Sequence, residues 1–193
     1  MKTLALVSQK GGVGKSLLTA HLAVAFEEVG LNVVVIDLDD QGSVTKWGDT
    51  RRRDSPPVIG AMANRLPAML ATARKGGVDL VIVDTPPYSS NVSLTAIAMA
   101  DLILVPTRPS IFDLRSIGDT AQILKLSHKL DKAVLVLNAV RPRGAIGNDA
   151  EAYAKEQAIE VAPVRITDRA AFADALIATR PSSMRFIPSD SVS

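Results

Sequence analysis

Leu4-Ala5-Leu6-Val7, followed by Gln9-Lys10-Gly11-Gly12-Val13-Gly14-Lys15-Ser16, is the stretch on which the fold turns. A short apolar run that meets three glycines, two lysines and a serine reads as strand, loop and helix start. Glycines at 11, 12 and 14 permit a tight turn that brings successive backbone N–H groups against phosphate oxygens, and the next helix aims its positive end at the same charge. In that setting Lys15 neutralises the β- and γ-phosphates of a nucleoside triphosphate, and Ser16 supplies the short hydroxyl that ligates Mg²⁺. The expected nucleotide-binding residues of this segment are Gly11, Gly12, Val13, Gly14, Lys15, Ser16 and Leu17. Lys10 is surplus to this chemistry and needs its own explanation.

Outward from the loop, apolar blocks recur at Leu4 to Val7, Val33 to Ile36, Leu80 to Val83, Leu102 to Val105 and Val134 to Leu137. They do not alternate with polar residues, so each is expected to be buried on both faces, as strands of a helix-covered parallel sheet are. Leu17, Leu18, His21, Leu22, Ala25 and Phe26 fall at helical spacing and stop at Gly30, a natural C-cap. Further helices are expected across 43 to 52, 61 to 75, 91 to 100, 110 to 130, 149 to 158 and 168 to 178. This alternation predicts an α/β fold: a doubly wound, mostly parallel sheet with helices on both faces. Residues 1–180 are expected to form one domain, and the Ser- and Pro-rich tail 181–193 to be partly disordered.

The chain has 193 residues, 47% of them apolar, and a formal charge of +2, which suits one domain with a substantial core and is too small a charge to argue for nucleic acid by itself. With no cysteine there is no disulfide, cysteine-ligated cluster or cysteine nucleophile. No targeting segment and no run of about eighteen apolar residues is visible, so a cytoplasmic location is expected.

With Lys10 counted, the loop resembles the deviant Walker A signature KGGVGK[ST] of the ParA/MinD-type P-loop ATPases, and overall the chain is closest to small ParA partition ATPases without an N-terminal helix-turn-helix. The resemblance implies ATP and Mg²⁺ as cofactors. It also implies that Lys10 reaches the phosphates of a partner subunit when two ATP-bound monomers close face to face. Asp37-Leu38-Asp39-Asp40-Gln41-Gly42-Ser43 matches the DxDPQG segment, which gives Asp39 the orientation of the attacking water and places Asp37 near Mg²⁺; Asp40 stands where relatives have proline. Leu80 to Val83 ending in Asp84 reads as a Walker B strand, with Asp84 accepting hydrogen bonds from Mg²⁺-bound water, and Thr85-Pro86-Pro87 as a switch loop. The Walker residues thus give Lys10, Lys15 and Asp39 as catalytic, and Ser16, Asp37 and Asp84 as metal-associated. Pro106-Thr107-Arg108-Pro109-Ser110-Ile111-Phe112-Asp113-Leu114 resembles the segment that opens a helix at the family's dimer face, although Ser110 with Asp113 also reads as an ordinary helix cap. Asn138 falls where relatives hydrogen-bond adenine, and Pro163 and Val164 are expected to close the other side of the base.

The function this implies is an ATP hydrolase, slow until stimulated by a partner and DNA. It would form an ATP-dependent homodimer, bind nonspecific double-stranded DNA and drive plasmid or chromosome partition, or cargo positioning, with a ParB-like or small centromere-binding adaptor. It would sit in the cytoplasm on the nucleoid, with no membrane partner. Candidate DNA contacts are Arg141, Arg143, Arg165, Arg169, Arg180 and Arg185. Arg51-Arg52-Arg53 reads as a solvated helix end, and Trp47 and His21 as packing residues. Two alternatives stay open: a MinD-like membrane-associated site-placing ATPase, which generally ends in a basic amphipathic helix that Pro188 would interrupt here, and a metabolic P-loop ligase of the dethiobiotin-synthetase type.

Overall fold

The computed structural model describes residues 1–51, 53–88, 90–141, 146–168, 172 and 187–188. Strands β1 (Lys2–Leu6), β2 (Val33–Asp37), β3 (Val58–Gly60), β4 (Leu80–Asp84), β5 (Leu102–Thr107), β6 (Ala133–Leu137) and β7 (Glu160–Val161) build one sheet in the order β3-β2-β4-β1-β5-β6-β7, with every pairing parallel. The five apolar blocks of the sequence are β1, β2, β4, β5 and β6. β3 and β7 escape a hydropathy reading because they are short sheet edges whose residues are half-buried or exposed. A separate antiparallel pair joins β8 (Val164–Arg165) to β9 (Ile187–Pro188) inside the tail.

Helices α1 (Lys15–Glu28), α2 (Ser43–Thr50), α3 (Leu66–Lys75), α4 (Ser90–Met99), α5 (Ile111–Leu126) and α6 (Ile146–Glu156) fill the intervals. Alternate residues of β1, with Val7 just beyond it, serve the two faces. Leu4 and Leu6 pack with Leu18 and Ala23 of α1 and Val44 of α2, whereas Ala5 and Val7 pack with Leu66 and Leu70 of α3, Ala96 and Ile97 of α4, Ile117 and Leu124 of α5, and Ala150 and Ala154 of α6. Burial on both faces is what allows the strands to be continuously apolar.

α1 ends in a Schellman motif: Gly30, at φ 92, donates to the carbonyl of Glu27, and Leu31 to that of Phe26. The glycine expected to stop this helix therefore stops it by adopting a left-handed conformation that a side chain would strain. Trp47 is half-buried beneath this layer as expected. Arg51 differs from its solvated expectation: its guanidinium lies 4.6 Å from the centre of the Trp47 ring and donates to the carbonyl of Pro56. Its planar cation gains more from an aromatic face than from a helix end. Arg52, and the helix expected over 168 to 178 apart from Asp168 and Phe172, lie outside the described residues. Among the described residues no helix is long and apolar enough to cross a membrane.

Candidate functional site

Register brings the chemistry together. Leu6 of β1 is level with Asp84 of β4, and Asp84 with Asp37 of β2, so three adjacent strands end at one height just where the glycine loop leaves β1. Ligands of open α/β sheets bind at these carboxyl ends. Gly14, at φ 93, opens α1 without any side-chain cap, and no acidic residue occupies the first turn. The N–H groups at that helix end are left for an external anion. A Cβ on Gly14 would lie 2.3 Å from Nδ2 of Asn138, so space as well as backbone angle demands glycine here.

Lys15 is 6% exposed and folds back over the loop, its Nζ donating to the carbonyls of Ser8 at 3.4 Å and Lys10 at 3.3 Å. Burial pushes its pKa down, while the charges of Asp84 and Asp39 pull it up. The backbone N–H of Lys10 donates to Ser8 Oγ, and its side chain shares a cleft of about 400 Å³ with Tyr88 and with Arg115 and Asp119 of α5.

Asp84 is fully buried. Its Oδ2 accepts from Ser16 Oγ at 2.6 Å and its Oδ1 from Thr19 Oγ1 at 3.2 Å. Desolvation raises its pKa to about 7 against the pull of these hydroxyls and of Lys15, with the Asp37 charge adding to the rise. A buried carboxylate bonded to the helix-start hydroxyl is a hard-oxygen pair, a donor set that fits Mg²⁺. Among the described residues no group of three or more His, Cys, Asp or Glu side chains forms a metal cage. Such an ion would rest on Ser16 and Asp84 and take its remaining oxygens from phosphate and water, as Mg²⁺ usually does. When bound it would neutralise phosphate charge.

The sign of the pH effect follows from the raised pKa. Between its ordinary value of 3.8 and about 7, the folded protein keeps a proton on Asp84 that the unfolded chain has released. Stability of the nucleotide-free protein therefore falls as pH rises through that window. Asp84→Asn should remove this contribution, so that the difference between wild-type and variant melting temperatures changes from pH 4 to pH 8; a constant difference would contradict it.

Asp37 is also buried, but its carboxylate is committed to its own loop: Oδ1 accepts from the Asp39 N–H at 3.0 Å, and Oδ2 from the N–H and hydroxyl of Thr45 at 3.0 Å each. Asp84, not Asp37, is the carboxylate bonded to Ser16. Asp37 holds the turn that carries Asp39, and Asp39, half-buried, faces a cavity of about 460 Å³ lined also by Gln41, Pro86 and Pro87. Asp40 is exposed.

Asn138 is buried against the glycine loop. Its Nδ2 donates to the carbonyl of Val13 at 2.8 Å and its Oδ1 accepts from the Ala139 N–H. The cavity beside it, about 280 Å³, is bounded by Gly12 to Gly14, Leu17 and His21 on one side and by Ile166, Thr167 and Asp168 on the other. Pro163 and Val164, expected at the base, do not line this cavity. Val164 is tied into β8, and Ile166 and Asp168 are the residues whose backbone bonds follow the end of β6.

Of the arginines proposed for DNA, Arg141 is exposed, and Arg143, Arg169, Arg180 and Arg185 lie outside the described residues. Arg165 is a correction. It is 7% exposed, with Nε 2.8 Å and Nη2 2.7 Å from Glu151 Oε1, and Nη2 also donates to Asn148 Oδ1 at 2.7 Å. Both partners are on α6, and a positive charge counted along the sequence carries no sign of them. Arg165→Met should lower unfolding free energy by about 3 kcal/mol, the scale for stranding a buried partner charge, when measured by urea denaturation. Its DNA retention at a temperature where the fold is intact should match wild type; a weaker salt dependence would return Arg165 to the DNA surface.

Thr19 and Thr45, bonded to Asp84 and Asp37, and Thr167, which lines the cavity beside Asn138, carry no assignment from the sequence, and His21, expected as a packing residue, lines the same cavity. Only Thr19 had a legible signal, one turn beyond Ser16 on the same helix.

The sequence profile of the CobQ/CobB/MinD/ParA nucleotide binding domain matches residues 4–181. The chain is 28% identical over 182 residues to the Maintenance of carboxysome distribution protein A of Halothiobacillus neapolitanus, covering 91% of this chain and 83% of that one. It is 33% identical over 153 residues to the protein of the same name from Gloeobacter kilaueensis, covering 78% of this chain and 68% of that one. The chromosome-partitioning ATPase Soj of Thermus thermophilus is 28% identical over 147 residues, covering 61% of this chain and 59% of that one. Among solved structures, an ATP complex of McdA from Cyanothece superposes with a TM-score of 0.74 at 20% identity (94% and 88% of the two chains), and the MinC:MinD complex of Aquifex aeolicus with 0.76 at 17% (94% and 87%), a likeness of fold. With a profile that spans most of the chain and relatives of this kind, the protein belongs to the CobQ/CobB/MinD/ParA nucleotide-binding family, as a ParA/MinD-type ATPase.

Proposed function

We propose that this chain is a ParA-type ATPase that closes as an ATP-dependent sandwich dimer, binds nonspecific double-stranded DNA on the nucleoid and positions a cargo through a ParB-like or small centromere-binding adaptor. The observation that carries the reading is the second loop lysine. Lys15 folds back over the glycine loop, whereas Lys10 lines a separate cleft with Tyr88 and Arg115, which supports a role for Lys10 toward a partner's nucleotide. Hydrolysis in such a site depends on positioning and charge neutralisation. Lys15 and the α1 N-terminus would hold the phosphates, Ser16 and Asp84 would carry Mg²⁺, and Asp39 would hold the water. Relatives named for carboxysome distribution and for chromosome partition support a positioning role and leave the cargo as either a protein assembly or DNA.

The test is retention on nonspecific double-stranded DNA with ATP, ADP or no nucleotide, using Asp39→Ala to hold the ATP state. Retention should require ATP and fall with salt, log K declining with a slope of roughly −0.9 per phosphate neutralised. Arg141→Ala should reduce that slope by about one such unit. Retention in no nucleotide state would remove DNA from the proposal and turn the search to membrane vesicles.

A further inference from the structure

The glycine loop is tied sideways to the sheet by one residue. Asn138 leaves β6 with its N–H donating to the carbonyl of Thr107 at 2.8 Å, and its Nδ2 reaches the carbonyl of Val13 at 2.8 Å, a link between residues 125 positions apart. The amide is held at its other end as well, because Oδ1 accepts from the Ala139 N–H at 2.9 Å. Asn138 is 8% exposed and Val13 1% exposed, so water does not compete freely for this bond. Behind it the chain is fixed by the donation of Val140 to Ile166 and of Asp168 to Val140. Ala139 itself stands at φ 53, a left-handed backbone that a residue with a side chain adopts at a cost and that is concentrated at functional sites.

What this bond fixes follows from peptide geometry. The Val13–Gly14 peptide is trans, and a planar trans peptide points its C=O and N–H in opposite directions. Turning the Val13 carbonyl toward Asn138 therefore aims the Gly14 N–H away from it, toward the other side of the loop. Gly14 is the residue that opens α1, where N–H groups meet an anion. At φ 93 it is also where this peptide has most freedom to rotate, since glycine accepts either sign of φ. Glycine cannot be replaced to remove that freedom, because a Cβ would lie 2.3 Å from Asn138 Nδ2. The close approach that requires glycine is the same approach that lets Asn138 hold the peptide still.

Resting on the reading of this loop as a triphosphate site, we propose that Asn138 is a positioning residue for the phosphates: it holds the Val13–Gly14 peptide with the N–H turned to the anion, so that the loop is set before nucleotide arrives. Its contribution is then to phosphate affinity and is independent of the base. Hydrogen bonding to adenine, the role that the resemblance implies for Asn138, makes the opposite prediction for a ligand that has no base.

Calorimetric titration of the full chain with ATP and with inorganic tripolyphosphate, both in Mg²⁺ and at a temperature where the fold is intact, separates the two. Asn138→Leu leaves a side chain of similar size that cannot donate. It should weaken both ligands by the same factor, about 10-fold, the scale of one misdirected hydrogen bond to phosphate. Weaker ATP binding with tripolyphosphate unchanged would overturn the proposal and return Asn138 to the base. Wild-type affinity for both ligands would overturn it too, and with a lowered melting temperature would leave Asn138 a purely structural role. If tripolyphosphate binds wild type too weakly to titrate, ITP, which differs from ATP at the 6-position of the base, takes its place: equal weakening of ATP and ITP supports the proposal, and weakening of ATP alone overturns it. Should Asn138→Leu not fold, Asn138→Ala, which leaves space where the amide stood, decides on the same criteria. Lys15→Ala should lose ATP whatever Asn138→Leu does, so a failure at Asn138 leaves the triphosphate site standing. Wild type that binds neither ATP nor tripolyphosphate would overturn the triphosphate reading and this inference together.

Discussion

Lys15→Ala should abolish ATP binding while leaving the nucleotide-free fold standing. In the structure its ammonium is buried and makes two long hydrogen bonds, at 3.3 and 3.4 Å, to loop carbonyls, so its removal forfeits little of the fold. Its desolvation is already unfavourable, as the lowered pKa records. With a triphosphate present, the same group would make charge-assisted bonds, each worth about 1.5–3 kcal/mol. Loss of two would weaken ATP by roughly 100-fold or more. Thermal denaturation provides the measurement. At ATP concentrations near 100 times Kd, wild type should gain about 2.7 kcal/mol, a rise of several degrees for a domain of this size. The variant should show no rise and no ATP-dependent dimer by light scattering. A variant that melts as wild type does with ATP would show that the phosphates lie elsewhere.

Asp39→Ala should do the opposite: bind ATP, accumulate as a dimer and fail to turn over. Asp39 makes one local bond, Oδ1 accepting from the Gln41 N–H at 2.9 Å, and is half-buried, so the fold loses on the order of 1 kcal/mol. Its loop is held from behind by the three bonds to Asp37, which fix where its carboxylate stands relative to Pro86 and Pro87 across the cavity. If that carboxylate positions the attacking water, losing it should lower kcat by about 100-fold, the usual penalty for a misplaced reactant. Phosphate release measured beside ATP binding separates the two effects. Turnover within a few-fold of wild type would assign the water to another residue, and loss of binding would make Asp39 part of the nucleotide cradle.

How much of this was legible beforehand can be judged at single residues. Ser16 and Asp84 were named from the loop and from an apolar strand ending in aspartate, and the structure bonds them at 2.6 Å. The resemblance to the DxDPQG segment places Asp37 near Mg²⁺ alongside Asp84. The structure separates them, since Thr45 at the start of α2 captures the Asp37 carboxylate and Thr19 and Ser16 that of Asp84. Arg165 looked like surface charge until α6 brought Glu151 and Asn148 against it. The resemblance puts Pro163 and Val164 at the base, whereas the backbone bonds beyond β6 bring Ile166 to Asp168, not these two, to the cavity beside Asn138.

The sequence by itself determined the parallel sheet, its helical layers, the phosphate loop and the strand-end carboxylates. Each of these is a local property: continuous apolar runs require burial on both faces, and clustered glycines require a turn whose N–H groups face outward. Only the tertiary structure decided which carboxylate meets Ser16, which arginine is spent on an internal ion pair, and that His21 and Thr167 share a cavity. Partnership depends on strand register and on which helix crosses which strand, and neither distance nor burial is carried by a residue's own chemistry.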